Sequence, residues 1–539
     1  GMGLDLDDST PLMEAGLDSL SAVEFRNKVS SAFQSVRFPS TLMFDYPSLT
    51  SLASYVSGQL VPSSSVALTE APTLALVAES RLSEGAGGGI AVLGAACHLP
   101  GFYWSLEGFA ATLSLGVDCI SEVPYNRWDM GEYFDPEAST GLKMYVRHAG
   151  FIEGVELFAA GSFNIGRAEA EAMDPQQRHL LETSFEAFVA AGFGKSELMG
   201  RLGGVFVGQD KCDWNRMLSG AHSGPYAATG GSSSISSNRI SYVLGLKGPS
   251  ATVDTACSSS LVACGVAQMT MRRRQRGQRR ASVSAGLVHS LVLGSNLLLG
   301  PQGYMSLSGP QMLAQEGRCF TFDKSADGYA RGEGVGGVKL KACEHSMESI
   351  SRLAVLLGSA INQDGRSATL TAPNGPSQQE VIRQSFREGS ILPAMSTVAE
   401  CHGTGTSLGD PIEVGALQAV LRLDHGSKPV LKTSGKTNIG HLEAASGLAG
   451  FIKCVGMLHH SLAIPNLHLK IMNPHLDVDG YPVRFTNEVL DYWSNSGING
   501  VSAFGFGGTN ARSDLWGHAQ HGHRYCITGI LPRRRSIVV

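Results

Sequence analysis

Hydrophobic and polar positions divide this chain into three stretches with different patterns. In residues 1–60, apolar Leu20 and Val23 are spaced for one face of a predicted helix. From Ile90 onward, short apolar runs alternate with glycine-rich turns and helix-like segments, which is typical of an α/β domain. Residues 61–88 between them are rich in serine, proline and glycine and predict a flexible linker.

Within the α/β region, the apolar runs predict individual elements. The predicted strands are 90–94, 204–208, 251–254, 353–360 and 397–400. A predicted helix at 258–271 has few charges, so we expect it to be buried. A second predicted helix at 442–459 is rich in alanine and glycine, which favours close packing against another element.

Composition narrows the class of protein. A length of 539 residues suggests two to four domains, and 43% hydrophobic against 17% charged residues excludes global disorder. The net charge of −5 is too small to indicate binding to nucleic acid. Ten cysteines without a C-x-x-C pair, no secretory signal and no apolar run of about 18 residues predict reduced thiols and no membrane span. We therefore expect a cytoplasmic location, with an organelle as the alternative.

Cys257 is the candidate nucleophile. It lies in the run Asp254-Thr-Ala-Cys257-Ser-Ser-Ser, where a predicted strand gives way to an apolar helix. The thiolate is the nucleophilic form of cysteine, and a helix start lowers the pKa of a thiol because its free N–H groups favour negative charge. A buried structural cysteine is the alternative that this context leaves open.

Two histidines lie in segments suited to binding a ligand. His402 follows Glu400 and begins His402-Gly-Thr-Gly-Thr406, whose glycines let a ligand approach the backbone. His441 ends Lys436-Thr-Asn-Ile-Gly-His441 and opens a predicted helix, where a neutral imidazole can donate an N–H to a developing oxyanion. Each histidine alone is as well explained as a core or loop residue. A nucleophile and two histidines together predict thioester chemistry.

Other motifs carry less information. Ser19, in Gly16-Leu-Asp-Ser19-Leu, is by its residues alone a helix N-cap. Gly435-Lys-Thr resembles the end of a P-loop, but Val430 stands where that motif requires glycine. Six arginines within 272–280 are interpreted as an exposed insertion. No metal site is predicted, because the candidate ligands lack regular spacing; they are His518, His521, His523 and Cys526.

Taken together, the motifs resemble the ketosynthase domain of modular polyketide synthases. The match covers residues 90–511 and includes the segments around Cys257, His402 and His441 together with Gly505-Phe-Gly-Gly-Thr-Asn510. Residues 1–60 are similar to the rear part of an acyl carrier protein, in which Gly16-Leu-Asp-Ser-Leu20 is the phosphopantetheine site. A carrier followed by a ketosynthase is typical of a polyketide module junction.

The resemblance implies a fold and a division into domains. It implies a thiolase-like α/β fold, with two similar halves in a layered αβαβα arrangement, a small α-helical carrier fragment at the N-terminus, and a homodimer. The expected units are a partial carrier domain at 1–60, a linker at 61–88, a ketosynthase at 89–511 with halves of 89–335 and 336–511, and a divergent tail at 512–539.

The resemblance also implies decarboxylative Claisen condensation, the joining of an acyl chain to a malonyl-type extender with loss of CO2. Cys257 would take the acyl chain from a carrier thioester. His402 and His441 would bind the thioester oxygen of the extender. Backbone N–H groups of Cys257 and Phe506 would form the acyl oxyanion hole.

Supporting residues, cofactor and partners follow from the same resemblance. Lys436, paired with Glu443, would set the electrostatics around His441, and Thr404 and Thr406 would contact the pantetheine arm. 4'-Phosphopantetheine would be attached to Ser19 if the carrier fragment folds, and otherwise to a partner carrier protein; no metal is implied. The partners would be acyl and malonyl carrier proteins and a separate acyltransferase, with no nucleic acid.

Two other functions stay open. One is a ketosynthase-like domain that passes acyl chains without condensing them; the other is a structural or docking fragment. The second arises because the family continues after Ala511 with an apolar strand, whereas this chain has Arg512-Ser-Asp. Since a buried unpaired charge costs several kcal/mol, we expect the chain to turn to the surface near Arg512, leaving the sheet incomplete and residues 512–539 mobile.

Overall fold

The computed structural model describes residues 7–15, 17, 19–60, 89–101, 104–138, 142–210, 213–217, 224–277, 287–343, 352–421, 428–478, 482–519 and 535–536. The predicted linker at 61–88, residues 278–280 of the arginine-rich run, and His521, His523 and Cys526 lie outside these residues.

The α-helices of the described residues fall into an N-terminal group of three and a larger group in the α/β region. They are α1 (Ser19–Ala32), α2 (Leu42–Asp45), α3 (Leu49–Leu60), α4 (Leu106–Ser114), α5 (Met130–Tyr133), α6 (Arg167–Ala172), α7 (Pro175–Ala190), α8 (Lys195–Leu198), α9 (Asp213–Met217), α10 (Ala227–Gly230), α11 (Ser233–Leu244), α12 (Ser259–Gly277), α13 (Gln302–Ser308), α14 (Gly375–Gly389), α15 (Gly409–Leu421), α16 (Lys436–Ile439) and α17 (Ser446–His460). Short 3-10 turns lie at Ala160–Phe163, Ala256–Ser258, Pro393–Met395 and Glu443–Ala445.

The strands of the described residues all lie beyond the predicted linker. They are β1 (Ile90–His98), β2 (Ile120–Glu122), β3 (His148–Gly150), β4 (Leu157–Phe158), β5 (Gly203–Gly208), β6 (Ser250–Val253), β7 (His289–Asn296), β8 (Arg331–Gly332), β9 (Gly334–Ala342), β10 (Ala354–Gln363), β11 (Ser396–Glu400), β12 (Val430–Thr433), β13 (Leu462–Ala463), β14 (Val483–Phe485), β15 (Leu490–Asp491), β16 (Ser496–Phe504), β17 (Thr509–His518) and β18 (Arg535–Ser536). Each of the five predicted strands is confirmed, with bounds that differ by up to four residues.

Two five-strand units with the same order and directions build the main sheet. In the first, β1 is antiparallel to β9, β9 is antiparallel to β7, and β7, β5 and β6 run parallel. In the second, β10, β17, β16, β11 and β12 repeat this arrangement, and β14 is added at the edge. A short pairing of β1 with β10 joins the units into one eleven-stranded sheet. The two similar halves that the resemblance implied are therefore present.

Helices cover both faces of each unit and produce five layers. α7 and α11 pack on the outer face of the first unit, whereas α14 packs on β10 and β17 of the second and is itself packed by α15. Between the units lie α12 and α17, each of which contacts strands of both. Their apolar side chains, including Leu261, Ala263, Phe451 and Ile452, are fully buried in the largest core cluster. Because most residues of both helices are buried between the two units, few charged residues are tolerated in them, as the sequence showed for both segments.

β17 corrects the prediction about the C-terminal segment. Arg512 does not turn to the surface; it is 1% exposed in a strand paired on both sides, with β10 and with β16. Its guanidinium donates to Asp514 Oδ1 from Nε at 3.1 Å and from Nη2 at 2.9 Å, and from Nη1 to Ser502 Oγ at 3.0 Å. Side chains two apart on a strand share one face, so this segment supplies its own counter-ion. The expectation of an incomplete sheet and a mobile segment is wrong for residues 512–518.

A glycine provides the space for that ion pair. Gly500 lies opposite Asp514 on β16, and a Cβ at this position would fall 1.5 Å from the Arg512 guanidinium. The second carboxylate oxygen of Asp514 accepts a hydrogen bond of 2.6 Å from Ser385 on α14. The charged pair is therefore enclosed and hydrogen-bonded, which is the condition under which buried charges are tolerated.

The N-terminal helices form a small core of their own. Val36, Phe38, Leu42, Leu52 and Val56 are buried together. The group rests on the α/β region through an Arg37–Asp477 ion pair of 2.9 Å and a hydrogen bond of 3.2 Å from the Gly375 N–H to Asp45. Burial raises the pKa of the Asp45 carboxyl to about 6, against the lowering effect of its hydrogen bonds to Thr41 and Gly375.

Candidate active site

A strained turn presents Cys257. Strand β6 ends at Val253, and the 3-10 turn Ala256–Ser258 precedes α12. Ala256 has a φ of +53°, a left-handed conformation that costs a non-glycine residue about 1–2 kcal/mol. Ser259 holds the turn, since its hydroxyl accepts from the Thr255 N–H at 2.8 Å and donates to the Ala256 carbonyl at 2.5 Å. Cys257 thus lies one turn before the helix that was predicted to begin with it, and it is half-buried.

Cys257 opens into a cavity of about 440 Å³ that both candidate histidines also line. The cavity brings together residues from both halves of the fold. Its lining residues from the sequence analysis are Cys257, His402, Thr404, Thr406, His441, Glu443 and Phe506. Lys436 is the exception among the site residues predicted outside the N-terminal region. It is buried and does not line the cavity.

His402 has a defined proton position. Its Nδ1 accepts a hydrogen bond of 3.3 Å from the backbone N–H of Phe504, so in the neutral ring the proton is on Nε2. Burial, followed by the charges of Lys436 and His441, holds the pKa of His402 well below its ordinary value. At neutral pH the ring is therefore uncharged and has an N–H available to donate.

His441 lies against His402 and is fixed from the opposite side. The two ring centroids are 5.3 Å apart and nearly perpendicular, at 87°. The His441 backbone N–H donates to the Ala330 carbonyl at 2.7 Å, and the Tyr329 ring lies 5.1 Å from the imidazole. The predicted helix does not begin at His441, because a left-handed Glu443 and a 3-10 turn intervene before α17.

Two buried carboxylates hold the loop after β11. Glu413 accepts the backbone N–H groups of His402 at 2.7 Å and Gly403 at 2.9 Å, and Asp410 accepts that of Gly405 at 3.1 Å. Burial raises the pKa of both carboxyls, that of Asp410 to about 7. Both acids come from the first turn of α15 or the residue that follows it, and both line the cavity.

Lys436 and Glu443 each lie among several buried charged side chains. Glu443 forms an ion pair with Arg331, with contacts of 2.6 and 3.1 Å between side chains that are each 2% exposed. Burial lowers the pKa of Lys436, and the carboxylates that oppose this most are Glu400 and Glu413. Glu400 and Glu413 therefore belong to the electrostatic surroundings of Lys436, and the pairing of Lys436 with Glu443 stays a prediction.

Phe506 lies in the turn between β16 and β17. Gly505 and Thr509 close this turn with a backbone hydrogen bond of 2.8 Å, and a Cβ on Gly505 would meet the Thr255 carbonyl oxygen at 2.4 Å. Glycine at this position lets the turn approach the segment just before Cys257. The Phe506 side chain is 54% exposed at the cavity.

Ser19 is the first residue of α1, and its side chain lies outside the described part of the molecule. Among the described residues, no group of three His, Cys, Asp or Glu side chains has the geometry of a metal site. No helix in the same part of the chain is long and apolar enough to cross a membrane.

The sequence analysis missed several residues that build this site. Asp410 and Glu413 had a signal, because two acids at the start of an otherwise apolar helix point to buried carboxylates. Tyr329 and Arg331 lie in the segment 326–333, which also matches the family, but no local signal predicts the pairing of Arg331 with Glu443, 112 residues away. Asp210 and Gln378 also line the cavity without belonging to a motif that was singled out.

Family models match three parts of the chain. The beta-ketoacyl synthase N-terminal domain matches residues 88–346, and the beta-ketoacyl synthase C-terminal domain matches 353–470. A phosphopantetheine attachment site matches residues 2–56, which include Ser19. These matches confirm the predicted nature of both regions.

Similar curated proteins are modular polyketide synthases. Polyketide synthase GfsB of Streptomyces halstedii is 39% identical over 96% of this chain, and pikromycin polyketide synthase component PikAII of Streptomyces venezuelae is 37% identical over 94%. Erythronolide synthase EryA2 of Saccharopolyspora erythraea is 38% identical over 92%. The chain spans 9%, 13% and 14% of these three relatives, so each is a far larger protein.

Solved ketosynthase structures share the fold. The ketosynthase from module 6 of the bacillaene synthase of Bacillus subtilis 168 is 33% identical, with a TM-score of 0.72 over 81% of this chain and 73% of its own. The oxazolomycin ketosynthase domain OzmH KS7 of Streptomyces albus JA3453 is 31% identical, with a TM-score of 0.73 over 80% of this chain and 74% of its own.

Proposed function

This chain belongs to the beta-ketoacyl synthase family, and on that premise we propose that it is a polyketide-type ketosynthase that condenses a Cys257-bound acyl chain with a malonyl-type thioester. The observation that carries the proposal is the cavity, in which a half-buried cysteine on a strained turn shares a wall with two histidines. A nucleophile and two N–H donors around one space are what this reaction requires.

In the first step, the Cys257 thiolate attacks the carbonyl carbon of an acyl thioester. The carbon–sulfur bond to the carrier breaks, the carrier thiol leaves, and the acyl group remains on Cys257. Backbone N–H groups of Cys257 and Phe506 are proposed to stabilise the oxyanion, and the presence of both residues at the cavity supports this.

In the second step, an extender thioester loses CO2. The electron pair of the broken carbon–carbon bond moves into an enolate, whose oxygen accepts hydrogen bonds from His402 and His441. The depressed pKa of His402 and its Nδ1 contact with Phe504 support a neutral Nε2–H donor in this role. The enolate carbon then attacks the acyl carbonyl, the bond to sulfur breaks, and the Cys257 thiolate is restored.

The cavity suits a phosphopantetheine arm, the carrier group that delivers the thioester. That arm is narrow and contains amides, and the cavity is open to the surface, largely apolar, and bears the hydroxyls of Thr404 and Thr406. We propose that these two threonines contact the arm and that Ser19 is an attachment position. The match of residues 2–56 to the attachment-site model supports Ser19.

We further propose acyl and malonyl carrier proteins, an acyltransferase and a second copy of this chain as partners. The modular synthases to which the chain is similar support the first two classes. β6 supports the dimer, because it is the outermost strand of the described sheet and all four of its residues are half-buried. Light scattering should give twice the chain mass; a monomer at micromolar concentration would rule out the dimer.

The alternatives from the sequence have different support. The docking fragment rested on an incomplete core, and the paired strand β17 removes its basis. A domain that passes acyl chains without condensing them remains distinguishable by experiment, because it would load Cys257 and then form no carbon–carbon bond.

The test combines intact mass with product analysis. Incubation with an acyl thioester should add one acyl mass to the wild type and to Cys119→Ala, which removes another half-buried thiol, but not to Cys257→Ala. Malonyl carrier protein should then yield a 3-ketoacyl product. His402→Ala should still load but lose decarboxylation by about 100-fold or more. Loading of Cys257→Ala at a discrete cysteine, or loading of the wild type without any condensation, would overturn the proposal.

A further inference from the structure

Gln378 lies in the first turns of α14 and has no part in the proposed function. Its side chain is 1% exposed and lines the cavity that holds Cys257 and His402. The start of this helix is fixed, because the Asn374 side chain caps it by accepting the Ser377 N–H at 3.0 Å. Gln378 therefore occupies a defined place on the cavity wall.

The carboxamide oxygen of Gln378 is buried and accepts no hydrogen bond from any described residue. Folded proteins rarely leave such an acceptor unsatisfied, because burial removes its hydrogen bonds to water without replacing them. When the unsatisfied atom belongs to a substrate cavity, a donor on the substrate is the direct way to satisfy it. The hydrogen bond between that donor and Gln378 would then contribute to the free energy of substrate binding.

The polar groups of the described residues near Gln378 offer its carboxamide oxygen no donor. The amide of Asn362 donates to the Ser377 carbonyl at 2.7 Å, and that of Asn510 donates to Asp364 at 2.7 Å, so both donors are engaged. Asp364 lines the same cavity and contributes carboxylate oxygens. This side of the cavity thus presents acceptors, and the complementary ligand carries an N–H or O–H group.

We propose that the carboxamide oxygen of Gln378 accepts a hydrogen bond from an N–H or O–H group of the acyl thioester that reacts with Cys257. Gln378 is then a positioning residue that favours substrates with a donor at this point. The inference rests on the proposed function. Two parts of the substrate can carry this donor. They are the pantetheine arm, with its amide N–H groups, and the acyl chain, where it bears a hydroxyl group.

Four thioesters separate the two sources. Butyryl and 3-hydroxybutyryl groups, each on N-acetylcysteamine and on ethanethiol, vary the hydroxyl and the amide independently. The rate constant for acylation of Cys257 is followed by intact mass in the wild type, in Gln378→Met, and in Gln384→Met as a control. Methionine has nearly the size of glutamine without the acceptor, and Gln384 is an exposed residue of the same helix that does not line this cavity.

The expected result depends on the substrate. Gln378→Met should lower acylation about 10-fold for the thioesters that carry the relevant donor and less than about 2-fold for the matched ones without it. A loss that follows the hydroxyl assigns the donor to the acyl chain, and a loss that follows the amide assigns it to the arm. An equal loss with all four substrates, or none with any, would overturn the proposal.

Two further measurements keep the outcome decisive. The melting temperature of Gln378→Met should equal or exceed that of the wild type, because the change removes a buried unsatisfied acceptor. Binding of the four ketone analogues, in which CH2 replaces the thioester sulfur, to Cys257→Ala and to Cys257→Ala/Gln378→Met repeats the comparison without chemistry. If the wild type is acylated by no thioester, the proposed function fails, whereas these affinities still decide the role of Gln378.

Discussion

The two halves of the ketosynthase region use the same backbone turn for different purposes. In the first half, β6 leads to a 3-10 turn that begins at Ala256, with a φ of +53°, and then to α12. In the second, the connection from β12 reaches a 3-10 turn that begins at Glu443, with a φ of +45°, and then α17. The second residue of the turn is Cys257 in one half and the fully buried Ala444 in the other.

The two halves therefore share a strand–turn–helix backbone but place different functional groups on it. The first half supplies one thiol at the turn. The second supplies the two histidines, Lys436 and the carboxylates beneath them, and it uses its own left-handed residue, Glu443, to hold Arg331. The backbone position is shared, whereas the side chain placed there decides between a nucleophile and an ion pair.

The equivalent central strands show the same contrast. β9 carries Lys339, which is 1% exposed and lies 5.1 Å from the centre of the Phe188 ring, with no ion pair among the described residues. β17 carries Arg512 paired with Asp514. Burial lowers the pKa of Lys339 well below its ordinary value, so the first half buries an amine that favours its neutral form, whereas the second buries a compensated ion pair.

The largest effect is expected where the compensated pair is broken. Asp514→Ala leaves the Arg512 charge buried without its carboxylate and should lower the free energy of unfolding by about 3–5 kcal/mol, measured by urea denaturation. The double variant Arg512→Met/Asp514→Leu removes both charges and should recover most of that loss. A loss below about 1 kcal/mol for Asp514→Ala would mean that the pair is not the feature that separates β17 from β9.

A smaller effect of opposite sign is expected on β9. Lys339→Met should raise the free energy of unfolding by about 1–3 kcal/mol at neutral pH, because it removes a buried amine without a counter-ion. The pKa of Lys339 is lower in the folded than in the unfolded chain. Between these two pKa values the folded protein binds fewer protons than the unfolded chain, so its free energy of unfolding rises with pH.

The difference in free energy of unfolding between Lys339→Met and the wild type should therefore shrink as the pH approaches about 10. Urea denaturation of both proteins at several pH values measures this. The exposed variant Lys324→Met tests whether any change comes from net charge alone. A difference that is constant with pH would show that Lys339 is not held in a neutral form.

The smallest effect is expected for Ala256→Gly, and the equivalent change at Glu443 is its contrast. Ala256→Gly relieves the left-handed strain but adds freedom to the unfolded chain, so the two effects nearly cancel and stability should rise by no more than about 1 kcal/mol. Glu443→Gly gives the same relief and loses the partner of Arg331, so it should be destabilised by about 3 kcal/mol. Equal responses in thermal melting would contradict the different purposes assigned to the two turns.

Much of the frame could be predicted from local sequence. The five predicted strands were found because apolar runs ended at glycines or turns, and the buried helices because their charges were few. Cys257, His402 and His441 were found because each follows a strand or opens a helix within a distinctive motif. These signals are short in range, so a linear sequence contains them.

The remaining features depend on contacts across the fold. Arg512 looked like an unpaired charge because its contact with Asp514 requires this segment to be a strand, and its contact with Ser502 requires β16 and β17 to pair. The Arg331–Glu443 pair joins residues 112 positions apart in sequence, so no local pattern predicts it. Gln378 was missed because an unsatisfied atom is recognised only when every neighbour is in place.

The hydrogen bond from the Phe504 N–H to His402 has a consequence for which amino-acid substitutions this site tolerates. The donor is main chain, and every residue except proline has an N–H group. Replacement of the side chain at position 504 can therefore leave the proton of His402 on Nε2, whereas the Arg331–Glu443 contact is lost if either member changes alone. A substitution at position 504 should thus change the packing of the Phe504 side chain and leave the His402 tautomer unchanged, whereas a substitution at 331 or 443 alone breaks the ion pair.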